Sequence, residues 1–350
     1  MSLDPSPGAR NGALDALRGL AALAVVLHHY GFGYADRVAP HNAAVPLFSA
    51  GHFGVELFFI LSGFVITDTL ERAASLRQFA VYRVARLYPA FLVCSGLTLA
   101  VLALGGPNPL AVSPLTALAG LTMLAPLAQI PPIDPSHWTL SFEVAFYALA
   151  GLCLRRDLET GCAVWLAAAL LATAFLPAAV WQVLVLLYLP LALLFVIGAL
   201  LSRLVAGRLS VLGRGTLLAA LGLTSVGPFA DHGNLGTPAY VALIAAFTAA
   251  VWAAATGRLA WLGRTPLVFL GAVSYPLYLV HQILGYAIIR DLEAHGWSAA
   301  VAIPAALLAA AALAALIRVG VEVPAQRAIR RAWARGWAPT ARPARLGAET

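Results

Sequence analysis

Ten stretches of this chain are apolar over the roughly 20 residues a helix needs to cross the hydrocarbon core of a bilayer, and that recurrence constrains the fold more than any other feature. They fall at 13–33, 52–70, 87–105, 138–154, 162–180, 182–202, 210–228, 238–256, 266–289 and 298–319. With 61% hydrophobic and 11% charged residues among 350, the chain carries more apolar surface than one soluble core could bury. The expectation is an all-α polytopic membrane protein with about ten transmembrane helices. The first stretch holds charges within it and lacks a small-residue cleavage site before the next one, so it reads as a retained helix and not a signal peptide.

An eleventh apolar piece, about 113–128, is short and fenced by prolines from Pro107 to Pro135. It is read as an interfacial or re-entrant segment. Charge supports leaving it out. All 22 basic residues are arginines, and with ten spans and a cytoplasmic N-terminus twenty of them lie inside, leaving only Arg37 and Arg290 outside. Counting the Pro-fenced piece as a span would invert every later loop and scatter the arginines. Both termini are therefore expected in the cytoplasm, with 1–12 as the N-terminus, 13–320 as the transmembrane domain and 321–350 as a basic tail. That tail is expected to begin as an amphipathic interfacial helix meeting anionic lipid and to end disordered. The net charge of +7 then reflects topology in a cytoplasmic (inner) membrane and not nucleic-acid binding. Cys94, Cys153 and Cys162 form no CxxC pair, so they are read as core residues, with no metal site and no permanently bound cofactor.

Ionisable groups inside the membrane are costly and are functional candidates by default. Here they are Asp15, Arg18, His28 and His29 on the first span, Glu56 on the second, Glu143 on the fourth and His281 on the ninth. Arg18 and His29 are three helical turns apart, within about 20° of one face and about 16 Å along the axis. His28 points about 100° away and is the expected packing partner. Imidazole acts as a base or nucleophile near neutral pH, so His29 is the catalytic candidate. Arg18 either snorkels to the interface with Asp15 or serves the site.

Four further stretches carry polar residues. In GHFGVELFFILSGFVI small residues surround Glu56 and Ser62, a pattern that suits close helix packing, a buried carboxyl group, or both. In RQFAVYRVARLYPAF, Arg83 and Arg86 share a face at i, i+3, a fork suited to phosphate and equally to positive-inside anchoring. HWTLSFEVAFYAL brings Trp138, Ser141 and Glu143, the tryptophan also fitting an interfacial belt. FLGAVSYPLYLVHQ brings Tyr275, the kinking Pro276 and His281, which either lines the same cavity or ties helices together.

Taken in order, LDALRGLAALAVVLHHY, GVELFFILSGFVI, YRVARLYP, WTLSFEVAFY and SYPLYLVH resemble the acyltransferase-3 superfamily of integral-membrane O-acyltransferases. The matching words run from residue 14 to 281. The family's Arg and His, separated by ten residues on its first helix, match Arg18 and His29. Its paired arginines match Arg83 and Arg86, and its tryptophan and acid match Trp138 and Glu143. The resemblance implies transfer of an acyl group, usually acetyl, from cytoplasmic acyl-CoA to a hydroxyl outside the membrane or at its outer leaflet. The acceptor class is an extracytoplasmic or lipid-linked carbohydrate, or a macrolide or other secreted small molecule. Two positions depart from the family pattern: Glu56 stands where Asp is commoner, and Thr139 where Ser is commoner. No fused extracytoplasmic domain is seen, which implies the standalone form.

On that reading Arg83, Arg86 and Arg18 hold the phosphates of acyl-CoA. His29 is general base or transient acyl carrier, and Glu143 orients it or relays a proton. Asp15, Glu56, Ser62, Trp138, Ser141, Tyr275 and His281 are placed in support or on the acceptor side. The competing class is a proton-coupled transporter or flippase of a lipid-linked sugar, whose mark would be an internal repeat with paired broken helices. No such repeat is seen, and the oligomeric state is not written in the sequence.

Overall fold

The structure, a computed structural model, describes residues 11–39, 46–151, 157–175, 189–226 and 235–336. Among the described residues every regular element is helical. Helix α1 (Gly12–His28) opens at Asn11, whose side chain accepts from the backbone N–H of Ala13 and Leu14. It runs without a break into a π turn (His29–Gly33) and one more α-helical turn (Tyr34–Arg37). A 3-10 segment (Pro46–Phe53) leads into α2 (Gly54–Arg72). Helix α3 (Leu76–Ala103) begins well before the expected span because Ser75 caps it by accepting from Gln78 N–H. Arg77, Arg83 and Arg86 are thus helical.

The Pro-fenced piece forms α4 (Pro114–Gly120) and a 3-10 turn (Ala125–Ala128), neither long enough to cross a bilayer. Then come α5 (Trp138–Leu149), α6 (Leu158–Phe175), α7 (Leu189–Val205), α8 (Val211–Leu223), α9 (Thr237–Ala255), α10 (Thr265–Ala294) and α11 (Ala299–Ile317). A second π turn (Arg318–Glu322) joins α11 to α12 (Val323–Gly336). The helical start expected for the basic tail is α12; 337–350 lies outside the described residues, as do Cys153 and all of 176–188, which holds the end of the expected 162–180 span and the start of the expected 182–202 span. Cys94 and Cys162 are buried free thiols.

Among the described residues five segments are long and apolar enough to cross a membrane: Phe48–Arg72, Leu76–Ala103, Thr237–Ala255, Thr265–Ala294 and Ala299–Gly336. Shorter apolar helices occur at Leu158–Ala168, Leu191–Val205 and Val211–Leu223.

Two glycine crossings set the packing. Helix α1 lies against α10 where Gly19 faces Gly271, and a Cβ on Gly271 would overlap the carbonyl oxygen of Asp15. Helix α2 lies against α7 where Gly63 and Gly198 each meet the partner's backbone, at Phe195 and Ile60. In apolar surroundings helix association depends on close packing, and only glycine lets these backbones approach so far. The α1–α10 crossing sets Asp15 beside Gly271 and, further along both helices, His29 beside His281.

Candidate active site

A cavity of about 780 Å³ opens where the arginine-bearing helix ends converge. It is lined by Asp15 and Arg18 from α1, Phe58 and Ser62 from α2, and Arg83 and Arg86 from α3. Thr139, Glu143 and Tyr147 of α5 and Tyr275 and Tyr278 of α10 complete its walls, and Gln326 and Arg330 of α12 reach in from the end of the described chain. Seven residues singled out from sequence therefore share one cavity: Asp15, Arg18, Ser62, Arg83, Arg86, Glu143 and Tyr275. They come from five helices.

The cations of this cavity are not equivalent. Arg18 Nη1 lies 2.9 Å from Asp15 Oδ1, so the two helix neighbours form an ion pair one turn apart. Arg86 is engaged by Glu322, a wholly buried carboxylate that also accepts from Arg318 at 3.3 Å and from Gln326 at 3.2 Å. Arg83 has no carboxylate within ion-pair distance among the described residues. Its guanidinium stands 5.4 Å from the ring centres of both Phe79 and Tyr147, and its buried Nε has no hydrogen-bond partner there. The i, i+3 spacing suited a phosphate fork and equally positive-inside anchoring; the structure pairs Arg86 with Glu322 and sets Arg83 beside Phe79 and Tyr147 at the cavity wall. Glu143 accepts a hydrogen bond from the Tyr147 hydroxyl, and the Tyr275 hydroxyl donates to the Leu87 carbonyl at 2.9 Å.

His29 begins the π turn, a feature that concentrates at functional sites. Its Nδ1 lies 2.7 Å from Nε2 of His281, with the rings stacked at 5.0 Å between centres. His281 Nδ1 lies 2.8 Å from the Tyr278 carbonyl, which can only accept, so Nδ1 of His281 carries the proton. With both rings neutral, Nε2 of His281 is then an acceptor and His29 must donate from Nδ1. The tautomer that follows leaves a lone pair on His29 Nε2, the atom a general base or nucleophile requires. His28 turns away as helical phase demands: its Nδ1 meets the Phe48 carbonyl at 3.2 Å and its ring stacks on Phe32.

Asp134 and Ser136, which the sequence reading passed over, and His137, which opens the HWTLSFEVAFYAL stretch, form a short segment that braces the histidine pair. Asp134, wholly buried, accepts from the Ser136 N–H (2.9 Å) and hydroxyl (2.6 Å), and its other oxygen accepts from the backbone N–H of Ile283 on α10 at 3.1 Å. His137 Nε2 donates to the Leu279 carbonyl at 2.9 Å, and the Tyr30 hydroxyl donates to the His281 carbonyl at 2.8 Å. Asp134, His137 and Tyr30 thus hold the backbone of α10 at Ile283, Leu279 and His281 itself. The local signal was present: Asp-Pro-Ser directly ahead of a helix is a capping pattern.

His29 and His281 are not cavity-lining residues. Tyr278 stands between, lining the cavity while its ring lies 5.7 Å from that of His281 and 5.7 Å from that of Phe58. Its hydroxyl accepts from Thr139 Oγ1 at 2.9 Å. The residue hydrogen-bonded to His29 is His281; Glu143, expected to orient it, is bonded to Tyr147. Three other candidates lie off the cavity. Glu56 is buried in the first turn of α2, Trp138 packs edge-on against Phe142, and the Ser141 hydroxyl donates to the Met123 carbonyl at 2.7 Å. Among the described residues no group of three or more His, Cys, Asp or Glu side chains is placed to hold a metal ion.

Comparison with known proteins adds a chemical context to this geometry. The family profile Acyl_transf_3, described as an acyltransferase domain, matches residues 11–319. The chain is 34% identical over 87 residues to the peptidoglycan O-acetyltransferase OatA of Listeria monocytogenes, covering 23% of this chain and 12% of that protein. It is 31% identical over 202 residues to the exopolysaccharide production protein ExoZ of Rhizobium meliloti, covering 55% of this chain and 62% of the relative. It is 33% identical over 89 residues to the O-acetyl transferase of Shigella phage Sf6, covering 25% of this chain and 26% of the relative. The matches therefore span less than two thirds of each relative's length. No solved structure matches the chain.

Proposed function

The chain belongs to the Acyl_transf_3 family of acyltransferases, and from that premise we propose that it moves an acyl group, acetyl in the simplest case, from acyl-CoA to a carbohydrate hydroxyl. The observation that carries this reading is the His29–His281 pair, with an unprotonated Nε2 on His29, beside an arginine-lined cavity. The names of the relatives, which speak of peptidoglycan and exopolysaccharide, support carbohydrate as the acceptor class; a macrolide or other secreted small molecule is the alternative acceptor.

In the proposed reaction Arg83 receives a phosphate of the donor, with Arg18 nearby, and the pantetheine arm extends past Tyr278 toward the histidines. His29 Nε2 takes the proton from the acceptor hydroxyl as that oxygen forms its bond to the thioester carbonyl carbon. The carbon–sulfur bond breaks, and the departing thiolate recovers the proton from the imidazolium. His281 holds the imidazole in the tautomer that makes Nε2 basic and stabilises the charge that forms on it. The same lone pair serves the alternative in which Nε2 attacks the carbonyl and carries the acyl group before the acceptor arrives. The arginine count in the loops supports a cytoplasmic donor face, with ten spans and both ends of the chain inside the cytoplasmic membrane.

The test is acyl transfer itself. Purified full-length protein with acetyl-CoA and surface-glycan acceptor should release free coenzyme A, and glycans from cells carrying the gene should bear O-acetyl groups missing without it. Absence of both effects would overturn the proposal.

A further inference from the structure

The C-terminal helix α12 begins after the stretch matched to the acyltransferase profile, which ends at residue 319, yet it supplies part of the cavity wall. Its attachment is specific. Glu322, in the π turn before it, is wholly buried and bonded by Arg86 of α3, by Arg318 one turn earlier and by Gln326 one turn later. Past this anchor α12 packs along α3 and has no buried residue of its own. Glu322, Gln326 and Arg330 follow at steps of four, which keeps them close to one helical face, with about 6 Å of rise between successive members. That face is turned to the cavity. Arg330 is exposed, as are Arg327, Arg331 and Arg335, but of the four only Arg330 lines the cavity.

Arg330 reaches the cavity mouth with its guanidinium 4.7 Å from the ring centre of Tyr82, which lines the same wall. No carboxylate lies within ion-pair distance of it among the described residues. A guanidinium laid on an aromatic face keeps its N–H edge directed outward, in the plane that a phosphate accepts from in two-pronged fashion. Of the arginines that line the cavity, Arg18 is paired with Asp15, Arg72 with Asp68, Arg86 with Glu322 and Arg208 with Glu71, so among the described residues Arg83 and Arg330 are the two with no carboxylate at ion-pair distance to compete with a donor that carries a diphosphate and a further phosphate on its ribose.

We infer that Arg330, held in place by the Glu322 anchor, is a specificity-determining residue that binds the phosphorylated nucleotide end of the acyl donor. The inference rests on the acyl-CoA reading above. Anionic lipid at the membrane surface offers the same phosphate chemistry to a basic helix, and the experiment separates the two sources.

The full-length enzyme, reconstituted in bilayers of fixed anionic-lipid content, is assayed with acetyl-CoA and with acetyl-pantetheine, which has the thioester but no nucleotide. Arg330→Ala should raise KM for acetyl-CoA about tenfold, the loss of one charge-assisted contact, and leave kcat/KM for acetyl-pantetheine unchanged. Arg330→Lys should recover part of the loss. Arg331→Ala, next to it in the chain but off the cavity, should change neither donor. An equal fall with both donors would assign Arg330 to packing or lipid contact and overturn the inference, as would an unchanged KM for acetyl-CoA. A wild-type enzyme that turns over acetyl-pantetheine with no preference for acetyl-CoA also overturns it. If wild type consumes neither thioester, the underlying reading falls and takes this one with it.

Discussion

Nδ1 of His29 and Nε2 of His281 lie 2.7 Å apart although 252 positions separate the residues in the chain. Because the Tyr278 carbonyl claims the Nδ1 proton of His281, this single contact decides which nitrogen of His29 is left basic. The geometry is that of a base with an orienting partner, the partner here being a second imidazole.

Removing the partner tests the relation. His281→Ala should lower kcat by about 10- to 100-fold while changing KM for acetyl-CoA little, since the tautomer and ring orientation are lost but the cavity is not. His281→Gln offers a side-chain oxygen that can accept from His29 Nδ1, and it should recover part of kcat. Equal losses in both variants, or a fall confined to KM, would contradict an orienting role.

The two arginines of α3 should separate in their phenotypes. Arg83→Ala is expected to raise KM for acetyl-CoA and leave the thermal unfolding midpoint in detergent unchanged. Arg86→Ala strips the wholly buried Glu322 of its interhelical partner and should destabilise by about 3 kcal/mol. Adding Glu322→Gln to Arg86→Ala should restore most of the midpoint, because the stranded charge is removed. Indistinguishable single variants would refute the division of roles.

Helix period and burial cost made part of this site legible. Arg18 and His29 fall on one face from 3.6-residue periodicity alone, and the expense of an intramembrane charge singled out Glu143 and His281. What periodicity does not carry is which helices touch. A helix apolar on every side has no preferred face to present, so neighbours are chosen by glycine crossings such as Gly19 with Gly271 and by buried hydrogen bonds. For that reason His281 was legible as a polar residue but not as the partner of His29. The bracing by Asp134 and the neutralising of Arg86 by Glu322 are likewise long-range facts that no window of sequence contains. The π turn at His29 was also invisible, since glycine-rich HYGFG reads equally as a helix end.

The α1–α10 crossing positions both histidines, so its glycines bear on activity as well as stability. Gly271→Ala places a methyl group against the Asp15 carbonyl and should destabilise by roughly 1–3 kcal/mol, with a loss of turnover exceeding the loss of folded protein. Gly215→Ala, in α8 where a Cβ meets nothing, serves as the control and should be silent. Wild-type turnover per folded molecule in Gly271→Ala would show that the crossing does not align the pair.

The central claim is that His29 performs the chemistry. The most direct measurement is acetyl-CoA-dependent acylation of the glycan acceptor by His29→Ala, in membranes matched for folded protein. The account predicts a fall of at least about 100-fold with acetyl-CoA binding retained. Undiminished acylation would remove His29 from the reaction and contradict the account.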